Sequence, residues 1–147
     1  MALAPVRRVV TGHSTDGKAI IDQDTELTPY VIHTKHAPVS DQPVRRFTLV
    51  WRTEGHPAEV QGPWTEYHGQ NIPLSTSDGT TVRVVDFPAE AEGIMHRTIS
   101  LDFGVVLEGE VVLELDDGVQ TTMKKGVRSP CVWPARPTRF PVNTARF

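Results

Sequence analysis

Apolar and polar residues alternate most regularly between Gly93 and Gly118, in GIMHRTISLDFGVVLEGEVVLELDDG. Val, Leu, Ile and Phe recur there at period two, the pattern of a strand with one buried face. Glu108-Gly109-Glu110 and Asp116-Asp117-Gly118 supply turn residues that divide the run into two or three short strands. In its first half His96, Thr98, Ser100 and Asp102 hold the polar parity, and Ile99, Leu101, Phe103, Val105 and Leu107 the apolar one. Successive side chains of a strand point to opposite faces, so the two sets meet different surroundings. Further on, Val111, Leu113 and Leu115 form a packing face, with Glu110, Glu114, Asp116 and Asp117 on the solvated side and in the turn.

The same pattern places strands at Val6–Thr11, Ala19–Asp22, Arg46–Arg52 and Thr81–Phe87, with turns at Thr15-Asp16-Gly17 and Ser77-Asp78-Gly79. No stretch shows the helical period, and 12 prolines and 11 glycines leave long helices little room. Many short strands with turn signals between them predict an all-β barrel or sandwich. Two segments lack periodicity. Asp24–Asp41, with His33 and His36, reads as a loop or arm; Thr53–Ser77, with His56, Trp64, Tyr67 and His68, reads as a long loop or lid. No spacing joins these four histidines, so surface positions are the plain reading, and His68 beside Tyr67 is the one placed to line a pocket. Trp51, at a strand end, is expected in the core.

The chemistry centres on His96 and Asp102. A straight strand rises about 3.3 Å per residue, so the two would lie roughly 20 Å apart. A bend near Ile99–Leu101 would pair the strand holding His96 with the one starting at Asp102 and bring imidazole and carboxylate over one cavity. Histidine titrates near neutrality and serves either proton transfer or, as neutral imidazole, metal binding. His96 and Asp102 are therefore the candidate catalytic residues and the candidate metal ligands, with Thr98, Ser100 and His68 as candidate substrate-pocket residues. The structural alternative is a pocket-edge histidine satisfied by Asp102 or Ser100, and an aspartate that merely opens a strand.

A chain of 147 residues fits one domain that buries roughly two-thirds of its unfolded surface. Its net charge is −3, and its longest basic blocks are Arg45-Arg46 and Lys124-Lys125, which disfavours nucleic acid as a partner. The single cysteine, Cys131, excludes an internal disulfide, and no base stands beside it to activate a thiol. MALAPVRRVVTG has no apolar signal core, and no run of about 20 apolar residues occurs, so the expectation is a cytoplasmic chain without a membrane partner. No GxGxxG follows a strand, so redox chemistry would need a bound metal or a cofactor held by another protein.

His96-Arg97-Thr98, then Asp102, then Leu107-Glu108-Gly109-Glu110 resemble the first motif of the cupins, small β-barrels with two histidines one residue apart, an acidic residue three or four positions on, and a glycine ending the next strand. Thr98 stands where the second metal-binding histidine would be, and Asp102 where glutamate is usual. The string MHRTISLDFGVVLEGEVVLELDDG is similar to small single-domain cupins of fungal secondary-metabolite clusters, the cupin-domain oxidoreductases, over about Val6 to Gly126.

The resemblance implies a double-stranded β-helix, or jelly-roll, barrel as one domain over 1–147, with its motif-bearing core at about 81–126. It also implies a small-molecule substrate and leaves room for one divalent metal (Fe, Mn, Zn or Ni), while the apolar strip Ile99, Leu101, Phe103, Val105 and Leu107 predicts a homodimer. The activity implied is oxidoreductase-type tailoring of a polyketide intermediate, for example toward a salicylaldehyde-like aromatic. A metal-independent dehydratase, isomerase or cyclase using His96 and Asp102, or a non-catalytic or truncated cupin, is the alternative.

The tail at 127–147 departs from the family. VRSPCVWPARPTRFPVN lacks the second motif's histidine, and Pro130, Pro134, Pro137 and Pro141 argue against a regular interior strand. Asn143, Ala145, Arg146 and Phe147 resemble the family again, as either a frame-shifted or mis-spliced stretch between about Val127 and Pro141 or an unusual natural tail would produce. The barrel is therefore expected to be incomplete at this end.

Overall fold

A computed structural model describes residues 3–32, 44–89, 91, 100–131 and 142–146. Their regular structure is β apart from one 3-10 turn at Asp116–Gly118. The strands are β1 Val6–His13, β2 Ala19–Leu27, β3 Arg46–Thr53, β4 Thr80–Phe87, β5 Asp102–Val105, β6 Glu108–Glu114, β7 Gln120–Lys124, β8 Arg128–Cys131 and β9 Val142–Arg146. The chain forms two compact units, residues 1–30 with 47–84 and residues 31–46 with 85–147.

In the first unit β1 and β2 make an antiparallel hairpin with an irregularity at Val10/Thr11. The Ser14 N–H donates to the Lys18 carbonyl at 2.9 Å and the Gly17 N–H to the Ser14 carbonyl at 2.9 Å, and Gly17 takes the left-handed conformation (φ 79°) in the turn expected at Thr15-Asp16-Gly17. β2 runs to Leu27, whereas Asp24 onward reads as loop from the sequence. Pairing with β1 decides this, since Val6 to Val9 register against Leu27 to Asp24, and the Arg7 fork closes on Asp24 at 2.6 and 2.8 Å. Backbone hydrogen bonds and an ion pair thus extend a stretch whose side chains are too polar to announce a strand. β3 lies beside β4, and Tyr30 and Phe47 exchange backbone hydrogen bonds of 2.9 and 2.7 Å. Val10, Leu27, Leu49 and Val84 are buried, as are Arg8 and Thr48.

In the second unit the end of β4 pairs with β9, β9 with β6, and β6 with β7. Phe87, Val106, Val111 and Met123 form the core, with Val85 and Leu113 packed against it. Val111 is fully buried and Leu113 partly, as the packing parity requires, while Leu115 is 38% exposed. Val106 was not legible as core. The β5 ladder ends at Val105, and the Val106 backbone turns to Val127 (N–H to carbonyl, 3.2 Å) and to Gly126 (carbonyl from N–H, 2.8 Å), which carries the side chain inward.

The tail carries two short strands, and neither is an interior strand containing a proline. β8 contains Pro130 and still pairs antiparallel with β5, Asp102 opposite Cys131 and Phe103 opposite Pro130, and β9 lies between β4 and β6. In a two-stranded ribbon half of each strand's N–H groups point away from the partner, so a proline at such a position removes no ladder bond. His96 and Thr98, Ile99 at the start of the expected bend, and His33 and His36 lie outside the described residues, while Ser100, within that expected bend, is at a bend of the chain.

Candidate functional site

Asp102 opens β5, is exposed, and faces Cys131 across the ladder. Ser100 sits two residues earlier at a half-buried bend. Of the central constellation these are the two residues the structure places, since His96 and Thr98 lie outside the described residues. Among the described residues no three His, Cys, Asp or Glu side chains gather as metal ligands would. The donors seen around Asp102 therefore do not by themselves make a divalent-metal site, which ordinarily takes three protein ligands.

His68 belongs to a different and denser cluster, in the first unit. Arg8 projects from β1 on the parity of buried Val10, with its side chain 5% exposed. Its guanidinium forks onto the carboxylate of Glu66, with Nη1 3.0 Å from Oε1 and Nη2 on Oε2, and lies 5.0 Å from the ring centre of Trp64. Trp64 stacks on Trp51 at 5.6 Å and donates its indole N–H to Asp22 at 2.7 Å. Glu66 Oε1 also accepts the His68 backbone N–H at 2.8 Å. The hydrogen bonds from Arg8 hold the Glu66 carboxyl below the usual glutamate range, against the opposing effect of burial.

Next along, Arg52 stands 5.3 Å over the ring of Tyr67, and Tyr30 meets His68 edge to face at 5.5 Å. Arg83, from β4, donates Nη1 to the Leu74 carbonyl at 2.6 Å and Nη2 to the Pro73 carbonyl at 2.5 Å. Stacked arginines and aromatic rings thus fasten the irregular segment 64–74 to strands of its own unit. The segment lacks periodicity because these contacts order it, and a repeating side-chain pattern does not. The hollow lined by Arg8, Trp51, Arg52, Glu66, Tyr67 and His68 has about 160 Å³ of empty volume counting open solvent, with no room for a water molecule inside.

His68 lies at the rim of this hollow, and Trp51 is half-buried against Trp64 where a core position is expected. His56 lies in an exposed turn. Sequence reasoning missed Arg8, Tyr30, Arg52, Glu66 and Arg83. The available signal was parity, because Arg8 alternates in phase with Val6 and Val10, positions that a hairpin buries.

No protein-family profile matches the chain. Curated proteins do match over most of its length. The cupin-domain-containing oxidoreductase virC of Hypocrea virens is 32% identical over 122 residues, 81% of this chain and 59% of that protein. The cupin-domain-containing oxidoreductase fogC of Aspergillus ruber is 29% identical over 126 residues, 84% of this chain and 59% of that protein. The oryzines biosynthesis cluster protein J of Aspergillus oryzae is 44% identical over 126 residues, 82% of this chain and 66% of that protein. The chain thus spans about three-fifths to two-thirds of the length of these relatives. The chain, almost entirely β in architecture, is thus similar over more than four-fifths of its length to fungal cupin-domain-containing oxidoreductases and to a biosynthesis cluster protein.

Proposed function

We propose that the chain acts as a cupin-type tailoring enzyme, an oxidoreductase working on a small polyketide-derived intermediate of secondary metabolism. The observation that carries this reading is the similarity, across more than 80% of the chain, to two cupin-domain-containing oxidoreductases and to a protein of a biosynthesis cluster. His96 and Asp102 carry the chemistry in this reading, with Thr98 and Ser100 beside them. The acidic net charge of −3 fits a small-molecule substrate over nucleic acid. No helix among the described residues is long and apolar enough to cross a membrane.

Deleting the gene and comparing metabolites by mass spectrometry tests the reaction class. An accumulating intermediate that differs from the lost product by two hydrogens or one oxygen is expected. A difference of one water, or none, would replace the oxidoreductase reading with dehydration or isomerisation. Restoring the gene as His96→Ala or Asp102→Asn should leave product at least about tenfold lower, with Tm within a few degrees, because acid–base groups typically contribute 10²–10⁴-fold. Variants that lose about 1–3 kcal/mol of stability yet keep the wild-type rate per folded molecule would make the pair structural.

A further inference from the structure

Three Asp-Gly pairs stand in the chain, Asp16-Gly17, Asp78-Gly79 and Asp117-Gly118. Glycine has no Cβ to shield its own main-chain nitrogen, so in such a pair that nitrogen can attack the side-chain carboxyl carbon before it. A five-membered succinimide forms and one water leaves. Water then reopens the ring, and where it adds at the main-chain carbonyl the chain afterwards runs through the aspartate side chain, as isoaspartate. Composition is unchanged, and the backbone is longer by one methylene. The ring closes only where the aspartate can turn its carboxyl onto the next nitrogen, so the fold decides which pair reacts.

Two of the three pairs are held. The Asp16 carboxylate accepts the Ser14 hydroxyl and lies 2.8 Å from the Lys18 Nζ, and the Gly17 N–H donates to the Ser14 carbonyl at 2.9 Å. Both reacting groups are thus engaged. Lys18 first and Ser14 after it hold the Asp16 carboxyl below the usual aspartate range, which keeps it ionised, the less electrophilic form. At the second pair the Thr76 hydroxyl donates to the Asp78 carbonyl at 2.7 Å and the Thr80 N–H to the Thr53 hydroxyl at 3.0 Å. Gly79 between them is half-buried, with the Thr53 carbonyl oxygen 1.9 Å from the place of an added Cβ. A lengthened backbone has no space there.

Asp117 and Gly118 are both exposed, at the tip of the β6–β7 hairpin. Among the described residues no hydrogen bond or ion pair holds the Asp117 carboxylate, and nothing lies within 4 Å of the place of a Cβ on Gly118. The tip is closed by the Leu115 N–H on the Val119 carbonyl at 2.7 Å and by a longer bond, 3.3 Å, from the Val119 N–H to the Asp116 carbonyl. Asp117 has φ 58° and ψ 21°, and among the described residues it alone takes a positive φ without being glycine. That conformation is unfavourable for a residue with a side chain. Ring closure needs Asp117 to rotate out of it, so the rotation that the reaction requires also relieves the residue.

We propose that Asp117-Gly118 is a site of spontaneous isoaspartate formation, and hence a substrate site for an isoaspartyl carboxyl methyltransferase. Such an enzyme moves a methyl group from the sulfonium of S-adenosylmethionine to the freed carboxylate oxygen and leaves a thioether. Loss of methanol from the ester re-forms the succinimide. The modification is independent of the tailoring reaction and of His96 and Asp102. It lengthens the connection between Glu114 and Gln120, the last paired residues of β6 and β7.

The full chain aged at neutral pH is the test, with its proteolytic peptides fragmented by electron transfer to locate the extra backbone methylene. Isoaspartate should accumulate at Asp117 at least about fivefold faster than at Asp16 or Asp78, the factor that one intact hydrogen bond supplies. Equal rates at the three pairs, or a faster rate at either of the others, overturn the proposal. In urea the three rates should converge, and a preference for Asp117 that persists there unchanged also overturns it, since the fold would then not be its source. Methyl uptake from labelled S-adenosylmethionine with added methyltransferase is the second measure. Asp117→Gly, which suits the left-handed conformation and so keeps the turn, should lose most of the label. A folded Asp117→Gly chain that takes up as much label as the wild type overturns the assignment of the site.

Discussion

Glu66→Gln isolates the electrostatic part of the first unit's packing. The substitution keeps the shape of the side chain and one acceptor but removes the charge that balances Arg8, whose side chain is 5% exposed. Stripping the partner from a fully buried ion pair costs about 3–5 kcal/mol. Here the Glu66 side chain is 45% exposed, so water relieves part of the loss, and the cost should be about 2 kcal/mol. For a chain of this length that is a fall in Tm of roughly 4–8 °C.

The pH dependence follows from the depressed carboxyl. Its folded-state pKa lies below the unfolded value of about 4.3, because of the hydrogen bonds from Arg8 first and the His68 N–H after it. The stabilisation is therefore complete above the unfolded value and disappears as pH falls through the folded one. The gap in Tm between wild type and Glu66→Gln should be constant at neutral pH and close on acidification below about pH 4. Adding Arg8→Met to Glu66→Gln should cost little more, since the uncompensated charge is then gone, giving a coupling energy of at least about 1 kcal/mol. Thermal melts of the four proteins between pH 3 and pH 8 provide the measurement. Strictly additive effects, or a Glu66→Gln melt within about 1 °C of wild type, would refute the reasoning.

Gly79→Ala should destabilise by more than about 2 kcal/mol, because Gly79 has φ +77° and an added Cβ would lie 1.9 Å from the Thr53 carbonyl oxygen. Gly69→Ala, at φ +82° with nothing within 4 Å, should cost only about 1 kcal/mol, and urea melts that fail to separate the two would count against the steric reading. Leu101, Phe103, Val105 and Leu107 are 57%, 78%, 37% and 44% exposed, so we expect a homodimer over this apolar strip. Light scattering should give about twice 16.3 kDa and fall to the monomer mass for Phe103→Asp, while a monomeric wild type at high micromolar concentration would dismiss the interface.

The strand content was written in the alternation of side chains. β1, β3 and β4 begin and end within two residues of the stretches that period two marks out, and Gly17 and Gly79 turn where expected, because both signals depend only on a residue and its near neighbours. The polar second half of β2 and the proline-bearing β8 did not show themselves, since their state depends on partners distant in the chain, Val6–Val9 for one and Asp102–Val105 for the other. The central motif pointed to a cupin through residue types in order, and relatives over four-fifths of the chain agree. The arginine cluster was invisible at that level. Arg8 and Glu66 are 58 positions apart, and Tyr30, Arg52, His68 and Arg83 come from strands and loops whose spacing has no period. Sequence alone determined the strands β1, β3 and β4 and the turns at Gly17 and Gly79, because those are decided locally. Only the tertiary structure decided which charges share a low-dielectric interior, because Coulomb and desolvation energies depend on distance through space, whatever the separation along the chain.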